Sequence, residues 1–385
     1  MAIQSVMHAP INVRTWVGVP KRRNPKGTGL FAHAYMDLAS FLEKEDFGPL
    51  QWLIENASPS AGPSQELLNA FGVESSSQRK RELEGLGWGY HYDWQDVGFL
   101  QKKHAPNRVV SCWIGFAFMR AYDVTQQVKY LQAAEEIVTF LLNNPKRLED
   151  TPEMLCLSYV PIKKIDWAVM DVSALVAAMC ARVGSCLKGR GRVELFSQAK
   201  RLIHFVTDKQ TDYGAWFYTW PAGDSHIKHD NYHTGIILDC LVDYMVYSGD
   251  HQYAARYELG LEYYRDNLFL DTGAPKWMND NRFPHDIHGA ASGILAFSRA
   301  ATYFENEAVS PQTSKVDKYL TFANRIFKWT IENLYSSKGY FYYQKNRFFT
   351  KRFCLMRWGN AWMSRAMTQL INLEFLLAKK SKEKI

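Results

Sequence analysis

The sequence predicts an all-α fold, an (α/α)6 toroid with short β segments on one rim. Three observations predict it: a helical hairpin that recurs, a period near 60 residues, and glycine-aromatic strings between the copies. The first copy, residues 111–144, reads SCWIGFAFMRAYDVTQQVKYLQAAEEIVTFLLNN. Small and aromatic residues fill its first half, a polar break follows near Asp123, and apolar residues then recur at helical spacing.

Further copies occupy residues 171–210, 232–269 and 288–334, so the four starts lie 56 to 61 residues apart. At that period the chain holds about six hairpins. The first helix of each is apolar on most faces and the second is amphipathic, as an inner and an outer helix require. A final helix over residues 358–379 has no outer partner after it. Helices within residues 30–55 supply one if the chain closes on itself. An open α-solenoid is the main alternative, but its repeats are usually about 20–45 residues and near copies. Between hairpins lie YGAWFY at 213–218, GAPKW at 273–277 and GYFYY at 339–343. In each, glycine permits the turn and the aromatics suit a short extended segment. With no linker more polar than a loop, residues 1–385 read as one domain, residues 1–29 being an extended N-terminal segment.

Composition narrows the function classes. A chain of 385 residues that is 47% hydrophobic has ample apolar material for a core, which excludes disorder. The formal charge of +7 comes from 46 Lys and Arg against 39 Asp and Glu, concentrated at residues 21–23, 79–81 and 379–384. Such short clusters fit a solvated surface better than a nucleic-acid stripe. Six cysteines without CxxC or CxxH spacing imply neither a disulfide framework nor a zinc knuckle, and point to a reducing compartment. No charged-then-apolar leader precedes Pro10, and no run approaches the roughly 18–20 apolar residues of a membrane span. The expectation is a soluble cytoplasmic protein with no integral membrane segment and no nucleic-acid partner.

In such a ring, the loops before the inner helices face a common cavity. They carry Trp88, Tyr90, Trp94 and Asp96 in WGYHYDWQDVGF, then Asp171, then His229, Asp230, Tyr232 and His233 in HDNYH. Asp286 and His288 follow in PHDIH, and Arg357, Trp358 and Trp362 in RWGNAW. Each has a structural explanation: an Asp at a helix start caps backbone N–H groups, and a Trp, Tyr or His packs in a core. Their joint occurrence in five distant loops points to chemistry. Indole and phenol rings offer flat apolar faces with a polar edge, which suit sugars. Carboxylates about 5–10 Å apart can share acid and base roles in glycoside cleavage. His, Tyr and Arg can instead abstract a proton alpha to a uronate carboxylate and steady the anion. His229 and His233 share i, i+4 spacing, but HDNYH lacks the Glu of HExxH and no Cys completes a set, so neither a metal nor a cofactor is expected. Glycine-rich nucleotide motifs, GxSxG and the Asp-rich strings of terpene cyclases are also missing.

The strings WGYHYDWQDVGF, CLSYVP, DNYHTGIILDCLVDYMVYSGD, GAPKWMNDNRFPHDIHGAASGI and RWGNAWMSRA resemble the six-hairpin glycosidase-like proteins of bacterial polysaccharide and surface-glycan biosynthesis clusters, of the VpsJ type. The resemblance extends over about residues 85–370 and implies the toroid and a glycan setting. A looser similarity to unsaturated glucuronyl hydrolases rests on Asp96 in QDVGF and on Asp171, with Gln95 where that family has His. In the nearer family the position of Asp171 is usually Asn, so the carboxylate here marks a catalytic group or a cap.

These readings converge on a carbohydrate-active enzyme of a surface-glycan or exopolysaccharide pathway, a glycoside hydrolase or a uronate lyase or epimerase. Its expected substrate is an anionic oligosaccharide or lipid-linked glycan. Asp230 and Asp286 are the preferred carboxylates, His233 and His288 handle or orient protons, and Asp96 and Asp171 stand in reserve. Arg357 is the anion contact, and Trp88, Tyr90, Trp94, Trp216, Tyr232, His229, Trp358 and Trp362 form the sugar platform. The rival reading is a non-catalytic glycan-binding or scaffold subunit that recruits glycosyltransferases. Asp286→Asn is expected to abolish turnover while the melting temperature stays within a few degrees; retained activity removes Asp286 from the catalytic set.

Overall fold

The computed structural model describes residues 9–14, 16, 18–42, 46–74, 82–95, 99–144, 146–161, 165–224, 227–306 and 312–383. Asp96 and the basic cluster 79–81 lie outside the described residues. The chain is all-α, of the (α/α)6 class. Its helices are α1 (Pro25–Asp37), α2 (Ala39–Leu42), α3 (Gly48–Glu55), α4 (Gln65–Ala70), α5 (Arg108–Thr125), α6 (Val128–Asn143) and α7 (Met170–Cys186). They continue with α8 (Gly189–Asp208), α9 (Asn231–Ser248), α10 (Ala254–Leu268), α11 (Ile287–Glu305), α12 (Thr313–Leu334) and α13 (Ala361–Glu383). The first helix begins at Pro25, inside the segment that the sequence suggested was extended. Asn24 starts it by accepting the Gly27 N–H, and proline fits the first helical position because its missing N–H would have had no partner there.

The described residues pack into two compact units, one from residues 24–229 and 236–263, the other from residues 1–23, 230–235 and 264–385. In the first unit α5 packs on α6, α7 on α8, and α1 on α5. Every residue of α7 from Met170 to Gly184 is buried, whereas α8 buries only Ala199, Leu202, Ile203, Phe205, Val206 and Thr207. That contrast is the inner and outer distinction carried by the sequence pattern. Where α6 ends, the guanidinium of Arg108 donates to Leu141 O at 2.9 Å and to Asn144 O at the helix end, and also to Ser158 O at 2.6 Å from a later loop. Burial lowers the Arg108 pKa to about 10. Toward the other end of the inner helices, Arg120 pairs with Asp37 at 2.7 Å, and Arg182 pairs with Asp123 while lying 4.4 Å from the Tyr247 ring.

In the second unit α11 packs on both α12 and α13. Helix α11 is buried continuously from Ile287 to Ser298, while α12 buries Val316, Tyr319, Phe322, Ala323, Ile326, Thr330 and Leu334 at helical spacing. Directly before α11 lies the strand β1 (His285–Asp286), which pairs with β2 (Gln344–Lys345), which in turn pairs with β3 (Thr350–Lys351); all pairings are antiparallel. The register sets Gln344 opposite both Asp286 and Lys351.

The glycines of the three aromatic strings, Gly214, Gly273 and Gly339, have φ of +94°, +87° and +83°, a region that side chains disfavour. Their surroundings differ. A Cβ on Gly214 would lie 2.5 Å from Leu259 O, whereas none of the neighbours of Gly339 comes within 4 Å. Gly339→Ala is therefore expected to cost roughly 1–2 kcal/mol from the left-handed backbone alone. Gly214→Ala adds a clash with backbone and should exceed it clearly. Equal urea midpoints for the two variants would contradict this.

Candidate active site

The second unit brings together Asp230, Tyr232, His233, Asp286, His288, Arg357, Trp358 and Trp362. The first unit holds Trp88, Tyr90, Trp94, Asp171, Trp216 and His229.

Asp286 is the N-cap of α11. It is 3% exposed, and its Oδ1 accepts the His288 N–H at 2.8 Å and the Trp358 Nε1–H at 2.8 Å. Its Oδ2 accepts from Gln344 Nε2 at 2.6 Å, and Gln344 Oε1 accepts from Lys351 Nζ at 3.1 Å. The lysine thus fixes the orientation of the amide, because Oε1 must face the ammonium and Nε2 the carboxylate. Burial raises the Asp286 pKa from 3.8 to about 6, while the three donors and the charge of Lys351 pull it back. Burial also lowers the pKa of Lys351, with Asp286 opposing the shift. The nearby Tyr343 phenol is raised by burial first and by Asp286 second, with Arg14 and Arg357 acting in the other direction.

Asp230 precedes α9 in the same way. Its Oδ1 accepts the His233 N–H at 2.9 Å and its Oδ2 lies 2.7 Å from His233 Nδ1. A carboxylate only accepts, so His233 donates from Nδ1, and the neutral ring carries its lone pair on Nε2. The side chain of His233 is 15% exposed and that of Asp230 only 3%. Behind this pair, Asn231 donates to Leu268 O at 2.7 Å and accepts from the Tyr264 hydroxyl at 3.0 Å, which holds the start of α9.

Aromatic rings join the two helix starts. Tyr232 lies 4.2 Å from the His233 ring centroid and is stacked on His288 at 4.7 Å and 14°. The His288 ring also meets Trp358 at 4.6 Å and Trp362 at 4.5 Å. Trp358 is placed by a π-helical turn, Met356–Asn360, just before α13. Gly359 within it has no room for a side chain, since a Cβ would lie 2.9 Å from Ile287 Cγ2. Such single π turns recur at functional sites because they re-aim side chains without ending the helix.

Several expected roles are corrected. Trp88 and Trp216 are 0% and 2% exposed, and their indole N–H groups donate to Leu53 O and Val206 O, each at 2.8 Å. Both are core residues and offer no face to a sugar. His229 donates from Nδ1 to Trp216 O at 2.8 Å, so its Nε2 accepts from the Tyr213 hydroxyl at 3.0 Å. Both nitrogens are used structurally. Asp171 is not a cap: Val169 holds that position, and the carboxylate sits in the first turn of α7, buried where its charge reaches the thiols of Cys112 and Cys240. His288 and Trp362 are 2% and 1% exposed, so they form the back of the site. Tyr90, 5% exposed, packs in an aromatic cluster of the first unit, 5.6 Å from Trp94, with Tyr92 stacked on it at 5.3 Å and Tyr159 5.3 Å from Trp94. Gln344, Lys351 and Tyr343 were missed. Their only sequence signal is a polar and a cationic residue two places from aromatics in a short hairpin, which many surface hairpins share.

Among the described residues, no group of three His, Cys, Asp or Glu side chains is placed to hold a metal ion. No helix is long and apolar enough to cross a membrane among the described residues.

No family model matches the chain, and no curated protein matches it. Solved structures do. A GH76 α-mannanase of Bacteroides thetaiotaomicron is 13% identical, with a TM-score of 0.60 over 94% of this chain and 89% of that one. A cellobiose 2-epimerase of Bacillus thermoamylovorans is 13% identical, with a TM-score of 0.60 over 91% and 88%. A family 88 glycosyl hydrolase of Bacteroides vulgatus is 10% identical, with a TM-score of 0.57 over 97% and 99%. The chain therefore has the six-hairpin fold found among proteins that act on carbohydrates.

The environment of Asp286 predicts a pH dependence of stability. An unfolded aspartate releases its proton near 3.8 and the folded one near 6, so between these values the native state binds more protons. Stability contributed by this group is full below about 4 and is lost as pH rises to about 6, by roughly 3 kcal/mol in all. Denaturation of wild type and Asp286→Asn from pH 4 to 7 should show wild type losing ground across that window. Lys351→Met should move the window upward, since it removes a cation that lowers the carboxyl pKa. Parallel profiles for wild type and Asp286→Asn would contradict the assignment.

Proposed function

We propose that this protein is a carbohydrate-active enzyme that works by proton transfer at a sugar carbon, with His233 as the general base and Asp230 as its positioning partner. The observation that carries the reading is the 2.7 Å contact between Asp230 Oδ2 and His233 Nδ1, on a ring that keeps partial exposure beside Tyr232. A carboxylate behind an imidazole fixes the tautomer and stabilises the imidazolium that forms when Nε2 takes a proton. The substrate is a reducing or uronate-containing oligosaccharide, free or lipid-linked, from a surface-glycan or exopolysaccharide pathway. Removal of a proton next to its carbonyl or carboxylate leads to epimerisation or to elimination. Arg357, whose charge reaches the Tyr343 hydroxyl, is the residue assigned here to steady the resulting anion.

The carboxylates support this division of labour. Asp230 is occupied by two bonds to His233 and Asp286 by three donors, so each is better suited to holding a neighbour than to travelling with substrate. One observation favours a second reading. A buried carboxyl with a pKa of about 6 lies in the range of a glycosidase's general acid, which suits hydrolysis with Asp286 as the proton donor.

Incubation with a panel of neutral and uronate oligosaccharides in heavy water separates these readings. Proton transfer at carbon yields deuterium at one ring carbon or a conjugated double bond, and His233→Gln should lower the rate by about 10²–10⁴-fold. New reducing ends with neither deuterium at carbon nor a conjugated double bond would replace this reading by hydrolysis. Saturable binding with no product would replace both by a glycan-binding role.

A further inference from the structure

The hairpin that supports Asp286 has a second notable end. Between the paired residues Lys345 and Thr350, its loop is Asn346-Arg347-Phe348-Phe349, closed by the Asn346 N–H donating to Phe349 O at 2.8 Å. Phe348 is 86% exposed and Phe349 44%. Two adjacent phenyl rings at the tip of a hairpin are costly in water and have no polar edge to offset that exposure. Arg347 and Arg352 flank them, both exposed, with the Arg347 guanidinium 5.2 Å from the Phe348 ring.

The wider sequence around this tip is uniformly basic. Residues 333–373 contain no Asp or Glu and seven Lys or Arg, a number equal to the formal excess of the whole chain. Residues 1–23, which belong to the same unit, also lack acids and carry Arg14, Lys21, Arg22 and Arg23, with Trp16 76% exposed. The charge of Arg14 reaches the Tyr343 hydroxyl, next in sequence to the start of β2, so the two acid-free segments lie within electrostatic range of each other.

We propose that the 346–349 tip is a peripheral docking element for an anionic phospholipid bilayer, with Phe348 and Phe349 entering the interface and Arg347 and Arg352 facing the headgroups. A polyanion alone would satisfy the arginines and leave Phe348 in water. A neutral apolar surface would take the rings and strand the cations. An anionic bilayer accepts both at once, because its headgroup layer is negative and the acyl boundary lies only about 5–10 Å deeper. The next residue pair inward from Lys345 and Thr350 is Gln344 and Lys351, the pair that holds Asp286. Docking at the tip therefore sets the candidate site close to the membrane surface, which suits a lipid-carried glycan. That last link rests on the proposed function; the docking is measured without any sugar.

The test is flotation of the full-length chain with phosphatidylcholine vesicles, and with vesicles in which about a third of the lipid is phosphatidylglycerol. Wild type should float with the anionic vesicles at least tenfold more than with the neutral ones, and less as salt rises. Phe348→Ser combined with Phe349→Ser should reduce binding at least tenfold. Arg347→Ala combined with Arg352→Ala should reduce it and flatten the salt dependence. Both double variants should keep the wild-type melting temperature, since the substituted side chains are exposed. Failure of wild type to prefer anionic vesicles, or serine variants that bind like wild type, would overturn the proposal. So would equal displacement of wild type and the serine variant by soluble polyphosphate, which would assign the surface to polyanions.

Discussion

An inner helix that starts inside an apolar core leaves backbone N–H groups that water cannot reach, and each must find an acceptor. At α9 and α11 the chain meets this requirement with buried aspartates. A carboxylate has more acceptor sites than one or two backbone donors use, and the rest of the site is built on the surplus. At Asp230 the surplus fixes the ring of His233. At Asp286 it gathers Trp358 from the turn before α13 and Gln344 from the β2 strand, and so ties two distant stretches of chain to one helix start.

Burying a charge in this way is unfavourable unless the donors are well placed. The upward shift of Asp286 records the unfavourable part, and the donors from His288, Trp358 and Gln344 record the compensation. Lys351 supplies the net opposite charge, but through the amide of Gln344 rather than by direct contact. The result is a carboxylate whose three hydrogen-bonding partners all point at it as donors, while Tyr232, His288, Trp358 and Trp362 enclose the space alongside with rings.

Much of the fold was legible because periodicity reports burial directly. The continuous apolar stretch of α7 and the amphipathic stripe of α12 are visible in residue order, and Gly214, Gly273 and Gly339 mark turns that only glycine adopts easily. The candidate site was legible where chemistry sits next to a helix start, as in HDNYH and PHDIH. It was not legible where the deciding fact is a partner far along the chain. Trp88 and Trp358 look alike as letters, yet one indole donates to a core carbonyl and the other to Asp286. His229 and His233 are four residues apart, and only the partners Tyr213 and Asp230 separate a structural imidazole from a candidate base. Lys351 escaped notice because a lysine in a basic hairpin reads as solvated, and its burial comes from the register that sets it across from Gln344.

The central claim is that Asp230 acts through His233 by fixing which nitrogen carries the proton. Nitrogen-15 NMR of the histidine side chains reads this directly in the intact protein. The account predicts that neutral His233 is protonated at Nδ1, and that Asp230→Ala releases it to the mixed tautomers of a free imidazole. A neutral His233 protonated at Nε2 in the wild-type protein, or a tautomer indifferent to the loss of Asp230, would contradict it.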